Sequence, residues 1–191
     1  MLFVFMHHSY GMFRALSYHL QHLMPIHLLN SEDVSWSTME KISYDSIVMC
    51  VKRHNSAIEF ATLIESYYQP AFTVSLVTAV LVLSPSLYQL VTANFSDYIA
   101  CVQLLVVVIY FFIISYYGQK LINYSGEILK IAYCTDWYCY SPRVRRVLIL
   151  IIRRCDKPSY ISAYKLYTLS FDCFRMVMQA GLSFSMLLRE I

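Results

Sequence analysis

The sequence predicts an all-α, polytopic helical membrane protein: the remnant of one span, then three C-terminal transmembrane helices with cytoplasmic helical extensions. Three observations carry that prediction. Hydrophobic residues make up 58% of the 191-residue chain and charged residues 14%, more apolar and less charged than a globule solvated by water. The 11 Phe and 17 Tyr would be costly to expose to water, and 4 Gly with 5 Pro supply little turn material for a sheet protein. Finally, residues 71–92 and 98–119 carry no charge at all, and at 1.5 Å per residue each covers a hydrocarbon core of about 30 Å.

The segment 1–13 reads as the end of a truncated transmembrane helix. Met1 to Met6 is apolar but lacks the basic leader, the length and the small-residue cleavage site of a signal peptide. Residues 14–69 form a cytoplasmic helical segment. Within it Ile47, Val51, Ile58, Phe60, Leu63 and Ile64 recur at near-helical intervals, with Lys52, Arg53, Glu59 and Glu65 between them. This amphipathic helix leads into the span at 70–92. There Pro85 removes one backbone hydrogen bond, which predicts a kink and a carbonyl re-satisfied by a neighbouring helix or by Ser84 or Ser86.

Residues 93–97 are a short extracellular loop, so the spans at 70–92 and 98–119 form a tight antiparallel hairpin. Tyrosines at both ends of the second span suit the interface. Residues 120–165 form a cytoplasmic helical anchor segment, broken at Ser141-Pro142 and Lys157-Pro158. Its apolar face at Val147, Leu150 and Ile151 needs a partner. Both packing on anionic headgroups through its arginines and a cytosolic bundle that assembles subunits satisfy that need. The last segment, 166–191, has crossing length but holds Asp172 and Arg175 one helical turn apart, so lipid cannot surround it on every face.

Orientation follows from the basic residues. Lys and Arg number 4 in residues 14–69, none in the hairpin loop and 9 in residues 120–165. The basic loops are inside, which places the hairpin loop and the C-terminus outside. The sequons at Asn94 and Asn123 are expected to stay unmodified, one hard against the membrane and the other cytosolic.

Catalytic chemistry finds no foothold, and the chain is not expected to be an enzyme or to hold a cofactor. His19, His22 and His27 are interrupted by Pro25, the Cys134 and Cys139 spacing poorly matches a zinc site, and no glycine run cradles a phosphate. The six cysteines have no repeated spacing and read as free thiols. A net charge of +3 without an aromatic-laced basic stripe excludes a nucleic-acid binder. Ionisable residues inside a span are a stronger signal, because a charge in lipid costs at least about 2.5 kcal/mol. Asp172 and Arg175 form either a local ion pair near the inner interface or part of a face that meets helices or water. Gln179, Ser183, Met186 and Glu190 then make a semi-polar stripe on the same helix, with Leu187 and Ile191 beside it. Such a stripe can line a pore.

Several patterns together resemble the insect odorant receptors, seven-helix membrane proteins with a cytoplasmic N-terminus and an external C-terminus. They are Met12-Phe13-Arg14-Ala15-Leu16; Cys50-Val51-Lys52-Arg53-His54 with Ile58 and Phe60; and Tyr117-Gly118, Ser125, Ala132-Tyr133, Trp137-Tyr138, Arg145-Arg146 and Lys157-Pro158 in order. At the end come Leu169-Ser170-Phe171, Phe174, Ser183-Phe184-Ser185 and Leu187-Leu188-Arg189. The resemblance implies a remnant of the fourth span followed by the fifth, sixth and seventh. It implies a tuning subunit of a ligand-gated, non-selective cation channel in the plasma membrane of olfactory sensory neurons, present here as a C-terminal fragment. The implied partners are an odorant co-receptor subunit in a heterotetramer, a volatile small-molecule ligand and membrane lipids. Carried over by position, the gate falls at Ser183, Leu187, Glu190 and Ile191, the remaining odorant-pocket residues are Tyr98, Cys101, Val102 and Leu105, and Trp137, Tyr138, Arg146 and Leu150 serve subunit assembly. A gustatory-type receptor channel and a non-conducting membrane assembly subunit are the competing expectations.

Overall fold

The computed structural model describes residues 2–22, 36–92, 98–135, 137–164 and 167–190. The expectations placed on His27, Asn94 and Ile191 lie outside the described residues. The elements are α1 (Leu2–Gln21), α2 (Trp36–Thr92), α3 (Tyr98–Cys134), a 3-10 turn at Trp137–Cys139, α4 (Pro142–Cys155), a ribbon of β1 (Ser162–Ala163) and β2 (Tyr167–Thr168), and α5 (Phe171–Glu190). They divide into two compact units. Val4–Leu63 and Lys120–Ser159 form a bundle unit, while Met1–Phe3, Ile64–Gln119 and Tyr160–Ile191 form a span unit.

In the bundle unit each helical segment buries one stripe whose steps alternate between three and four residues. The stripes are Met6, Ser9, Phe13, Leu16 and Leu20 on α1; Ser43, Ile47, Cys50, His54, Ala57 and Ala61 on α2; Leu121, Ser125, Ile128 and Ala132 on α3; and Val144, Leu148, Ile151 and Cys155 on α4. A 3.5-residue period is the seam of helices packed knobs into holes. Ring contacts show which helices meet: Phe13 stands edge-on to His54 at 6.3 Å, and Tyr10 stacks on Tyr124 at 5.3 Å. The His54 ring in turn reaches Cys155 on α4.

Two sequence expectations change here. Of the apolar face foreseen on α2, Ile47 and Ile64 are buried, but Val51, Ile58 and Phe60 only flank the seam and Leu63 is 62% exposed. The seam selects small side chains that let helices approach, so Cys50, Ala57 and Ala61 take the central places. On α4 the foreseen face divides: Ile151 is buried with Val144 and Leu148, Val147 is half-buried, and Leu150 points the other way, 64% exposed.

Helix α4 starts where Pro142 suits the first helical position, after an extended Ser141. Arg145 folds back to donate from Nε to the Tyr140 carbonyl at 2.7 Å and from Nη2 to the Tyr138 carbonyl at 2.9 Å. That side chain pins the 3-10 turn to the helix that follows it.

In the span unit, residues 64–92 of α2 and 98–119 of α3 pack with α5. Buried side chains include Phe72, Ala79, Leu83 and Leu90 on α2, Phe111 and Ile114 on α3, and Cys173 and Val177 on α5. Among the described residues, two helices are long and apolar enough to cross a bilayer, α2 and α3. Only 28% and 22% of their most apolar windows are buried, so Val74, Val77, Leu81, Val102, Val106 and Ile109 present their side chains outward. Lipid is the solvent such a surface fits.

Helix α2 continues through Pro85. The carbonyl that Pro85 leaves without its usual donor is that of Leu81, four residues back. Ser84 and Ser86 instead donate to the Val80 and Val82 carbonyls, at 2.7 Å and 2.8 Å. The expected hydroxyl replacement is therefore not what these two side chains do; they brace the carbonyls on either side.

The last helix begins at Phe171, five residues later than the apolar run from Leu166 suggested. The preceding residues form the antiparallel ribbon, Ser162 opposite Thr168 and Ala163 opposite Tyr167. Tyr164 turns the chain with φ of 49°, a value uncommon for a residue with a bulky side chain.

Candidate functional site

The side chains on α5 sort into two faces. Cys173, Val177 and Gly181 are buried, and at Gly181 the helix comes so close to α2 that an added Cβ would lie 3.0 Å from the Leu83 Cβ. On the far side Gln179, Ser183, Met186 and Glu190 are all exposed. Their spacing of three to four residues keeps them on one stripe, turned away from the packed face. Leu187, also exposed, borders that stripe. Asp172 and Arg175 do meet, Nη2 to Oδ1 at 3.8 Å, but both side chains are largely exposed, so the pair is loose.

The base of α5 is held more tightly. Ser170 caps it, its Oγ accepting the Cys173 N–H at 3.4 Å. Phe171 stacks on Phe112 at 6.1 Å and lies against Tyr116 at 6.5 Å, while the Phe171 N–H reaches Gln119 Oε1 at 3.4 Å. Beneath them Gly118 brings α3 against Leu169: a Cβ there would lie 2.6 Å from the Leu169 Cγ and 2.9 Å from its carbonyl carbon. Tyr117-Gly118 and Leu169-Ser170-Phe171, distant in sequence, are thus one packing motif.

A cavity of about 640 Å³ lies between α2 and α5, lined by residues including Leu76, Val80, Ser84, Cys173, Val177 and Phe184. The size suits a small apolar molecule. Sequence reasoning did not anticipate it, because its lining consists of apolar side chains that fit lipid equally well. The expected pocket residues Tyr98, Cys101, Val102 and Leu105 are elsewhere. They share one face over the first turns of α3, with Tyr98, Val102 and Leu105 exposed and Cys101 half-buried, and none of them lines the α2–α5 cavity.

Of the four residues expected to assemble subunits, Trp137 and Tyr138 sit on the 3-10 turn, 6.1 Å apart and edge to face. Arg146 and Leu150, one turn apart on α4, face away from its buried stripe. All four are accessible to a partner.

The bundle core contains one polar pair that sequence reasoning missed. His54 Nε2 lies 3.6 Å from Cys155 Sγ, and its Nδ1 is buried without a hydrogen-bond partner. Burial, helped by the Arg154 guanidinium, lowers the imidazole pKa to about 4. Burial raises the Cys155 thiol to about 11, against the opposing pull of Arg154. At neutral pH both groups are uncharged, so the pair is a neutral thiol–imidazole contact whose direction the ring tautomer sets, and no thiolate nucleophile forms. Among the described residues no three His, Cys, Asp or Glu side chains gather where they could hold a metal ion.

Comparison with known proteins accounts for this arrangement. The sequence profile of the 7tm Odorant receptor family matches residues 1–181. The odorant receptor coreceptor of Harpegnathos saltator is 24% identical over 155 residues, which covers 80% of this chain and 32% of that protein. Odorant receptor 46a, isoform B, of Drosophila melanogaster is 24% identical over 159 residues, 80% of this chain and 41% of the relative. The chain thus spans about a third to two fifths of the length of these relatives. In fold, it matches the insect olfactory receptor OR5 from Machilis hrabei, solved in complex with eugenol, with a TM-score of 0.72 at 14% identity, covering 93% of this chain and 45% of that one. The fold is therefore that of an all-α membrane protein, and the chain belongs to the odorant receptor family, which is not a family of enzymes.

Proposed function

We propose that this chain supplies the pore helix and the cytoplasmic anchor of a tuning subunit in an odorant-gated, non-selective cation channel of the plasma membrane. The observation that carries the reading is the stripe Gln179, Ser183, Met186 and Glu190, turned away from the packed face of α5. An exposed semi-polar stripe suits a helix that meets water and sister subunits around an axis. Leu187, with Ile191 four residues on in the sequence, then forms an apolar constriction that dewets when closed, and Glu190 favours cations over anions. In this topology residues 70–92, 98–119 and 166–191 cross the bilayer and the C-terminus is extracellular.

The partner is a co-receptor subunit in a heterotetramer, met through Trp137, Tyr138, Arg146 and Leu150. The kinship with both coreceptors and other odorant receptors supports assembly within the family. The ligand is a volatile small molecule, bound in part by Tyr98, Cys101, Val102 and Leu105 together with spans that precede these residues in a full-length receptor. The solved complex of OR5 with eugenol supports a ligand of that class.

The test is co-expression of the 191-residue chain with an odorant co-receptor, with surface staining of a tag placed after Ile191. An accessible tag on intact cells and a change in the co-receptor's ionic current that depends on Leu187 are the expected results. A co-receptor current indifferent both to the chain and to its Leu187→Ala variant would instead identify a non-conducting assembly subunit.

A further inference from the structure

A ribbon with two residue pairs is too small to hold itself together in isolation, yet β1 and β2 deliver the chain to the first turn of α5. What fixes it is a carboxylate on α2. Glu65 Oε1 accepts both the backbone N–H of Ser162, at 3.2 Å, and its hydroxyl, at 2.5 Å. Ser162 is buried and Glu65 half-buried, so the bonds are shielded from competing water. Bonds to a charged acceptor are about twice as strong as neutral ones.

From Ser162 the constraint passes on without a gap. Ser162 is the ribbon partner of Thr168, and the ribbon is closed by the Leu169 N–H donating to the Ile161 carbonyl at 2.8 Å. The Ser170 hydroxyl donates to the Thr168 carbonyl at 3.3 Å and accepts from the Cys173 N–H inside the first turn of α5. The Phe174 N–H closes that turn on the Ser170 carbonyl at 3.2 Å. Every link lies within the span unit.

We propose that Glu65 is a positioning residue: through Ser162, Thr168 and Ser170 it sets where the first turn of α5 starts and which way its stripe faces. Glu65 touches neither the stripe nor the constriction; it acts through the ribbon. Its effect on current rests on the reading of α5 as a pore helix, whereas its effect on the first turn of α5 does not.

Two measurements separate these claims. The first is amide hydrogen exchange of the purified chain in lipid nanodiscs, followed over residues 160–170 and over the first turn of α5. Glu65→Leu and Ser162→Ala are each expected to speed exchange in both segments by about tenfold or more, the double variant by no more than the stronger single one. Glu65→Gln, whose amide oxygen can still accept, falls between. Exchange that stays unchanged in Glu65→Leu, or that rises in the ribbon but not at Cys173 and Phe174, overturns the proposal whatever the chain conducts. The exchange of α1 serves as the control for general unfolding. The second measurement is current on co-expression with a co-receptor, normalised to surface protein. If the wild-type chain changes the current, Glu65→Leu is expected to alter the ratio of resting to activated current while Glu65→Gln largely restores it. If the wild-type chain changes nothing, the pore reading fails and the exchange result still decides the role of Glu65.

Discussion

Gly118 on α3 and Leu169 at the foot of α5 approach so closely that any side chain on Gly118 would occupy the space of the Leu169 carbonyl group and Cγ. The colliding partner is in part backbone, tied to Ile161 by the hydrogen bond at its own N–H, so it cannot swing aside as a side-chain tip can. Gly118→Ala is expected to destabilise the span unit by about 1–3 kcal/mol, the usual cost of overpacking. Gly126, on the same helix, has nothing within 4 Å of an added Cβ, so Gly126→Ala should be neutral or stabilise by up to about 1 kcal/mol. Thermal unfolding of both variants in nanodiscs checks the contrast, and equal midpoints would contradict it.

At Gly181 the obstacle is a side chain, and the outcome should differ. An added Cβ meets the Leu83 Cβ at 3.0 Å and Cδ1 at 3.4 Å, contacts that a shift of a few tenths of an ångström relieves. Gly181→Ala is expected to cost less than about 1 kcal/mol, and Gly181→Leu about 1–3 kcal/mol. Adding Leu83→Ala to Gly181→Leu should recover part of that loss, a coupling of about 0.5–3 kcal/mol in a double-mutant cycle. Additive losses would show that the two residues do not share the space.

The buried imidazole gives the bundle unit a pH dependence of defined sign. His54 has a pKa near 4 when folded against 6.5 for its ordinary value, so between these values the unfolded chain binds a proton that the folded chain does not. Stability is therefore complete above about pH 6.5 and declines as the pH falls towards 4. Discounted for partial screening by solvent, the loss at pH 5.5 is about 1 kcal/mol. The unfolding midpoint, measured at pH 7.5 and 5.5, should fall more for wild type than for His54→Leu, which has no proton to gain. Parallel profiles would show that another group carries the dependence.

If α5 lines a pore, its exposed acid and its apolar edge should have separable effects. Glu190→Gln is expected to lower the permeability of cations relative to anions, seen as a shift of reversal potential in asymmetric salt, with little effect on gating. Leu187→Ala is expected to raise resting current, because a smaller side chain wets the constriction. Interchanged effects would mean that the constriction lies at a different turn of the helix.

How much of this was legible beforehand depended on which physical signal each residue emits. The two lipid-facing runs were plain, since a lack of charge over 22 residues has few other causes, and so were the breaks at Pro142 and Pro158. The bundle seam was legible only in part. Large apolar residues such as Leu63 attract attention in a sequence, but close helix packing rewards Ala57, Ala61 and Cys50, and it accepted His54, whose polarity argued for the surface. On α4 the adjacent residues Leu148, Ile149, Leu150 and Ile151 are alike in sequence, and only packing tells that the first and last are buried. The ribbon gave no signal, since two-residue strands have no periodicity and its turn uses Tyr164 where glycine is usual. The tie from Glu65 to Ser162 spans 97 residues, beyond any local pattern.

The free cysteines turn the chain into its own opening meter. Cys134 and Cys139 are exposed, whereas Cys50 and Cys155 are buried in the bundle unit and Cys173 in the span unit. A thiol shielded by packing, with its ionisation further suppressed by burial at Cys50 and Cys155, is alkylated only when its surroundings part. An alkylating reagent should therefore label the surface pair in a first wave and each buried thiol at the rate its own unit breathes, so the two units can be timed separately in a native membrane without adding a probe.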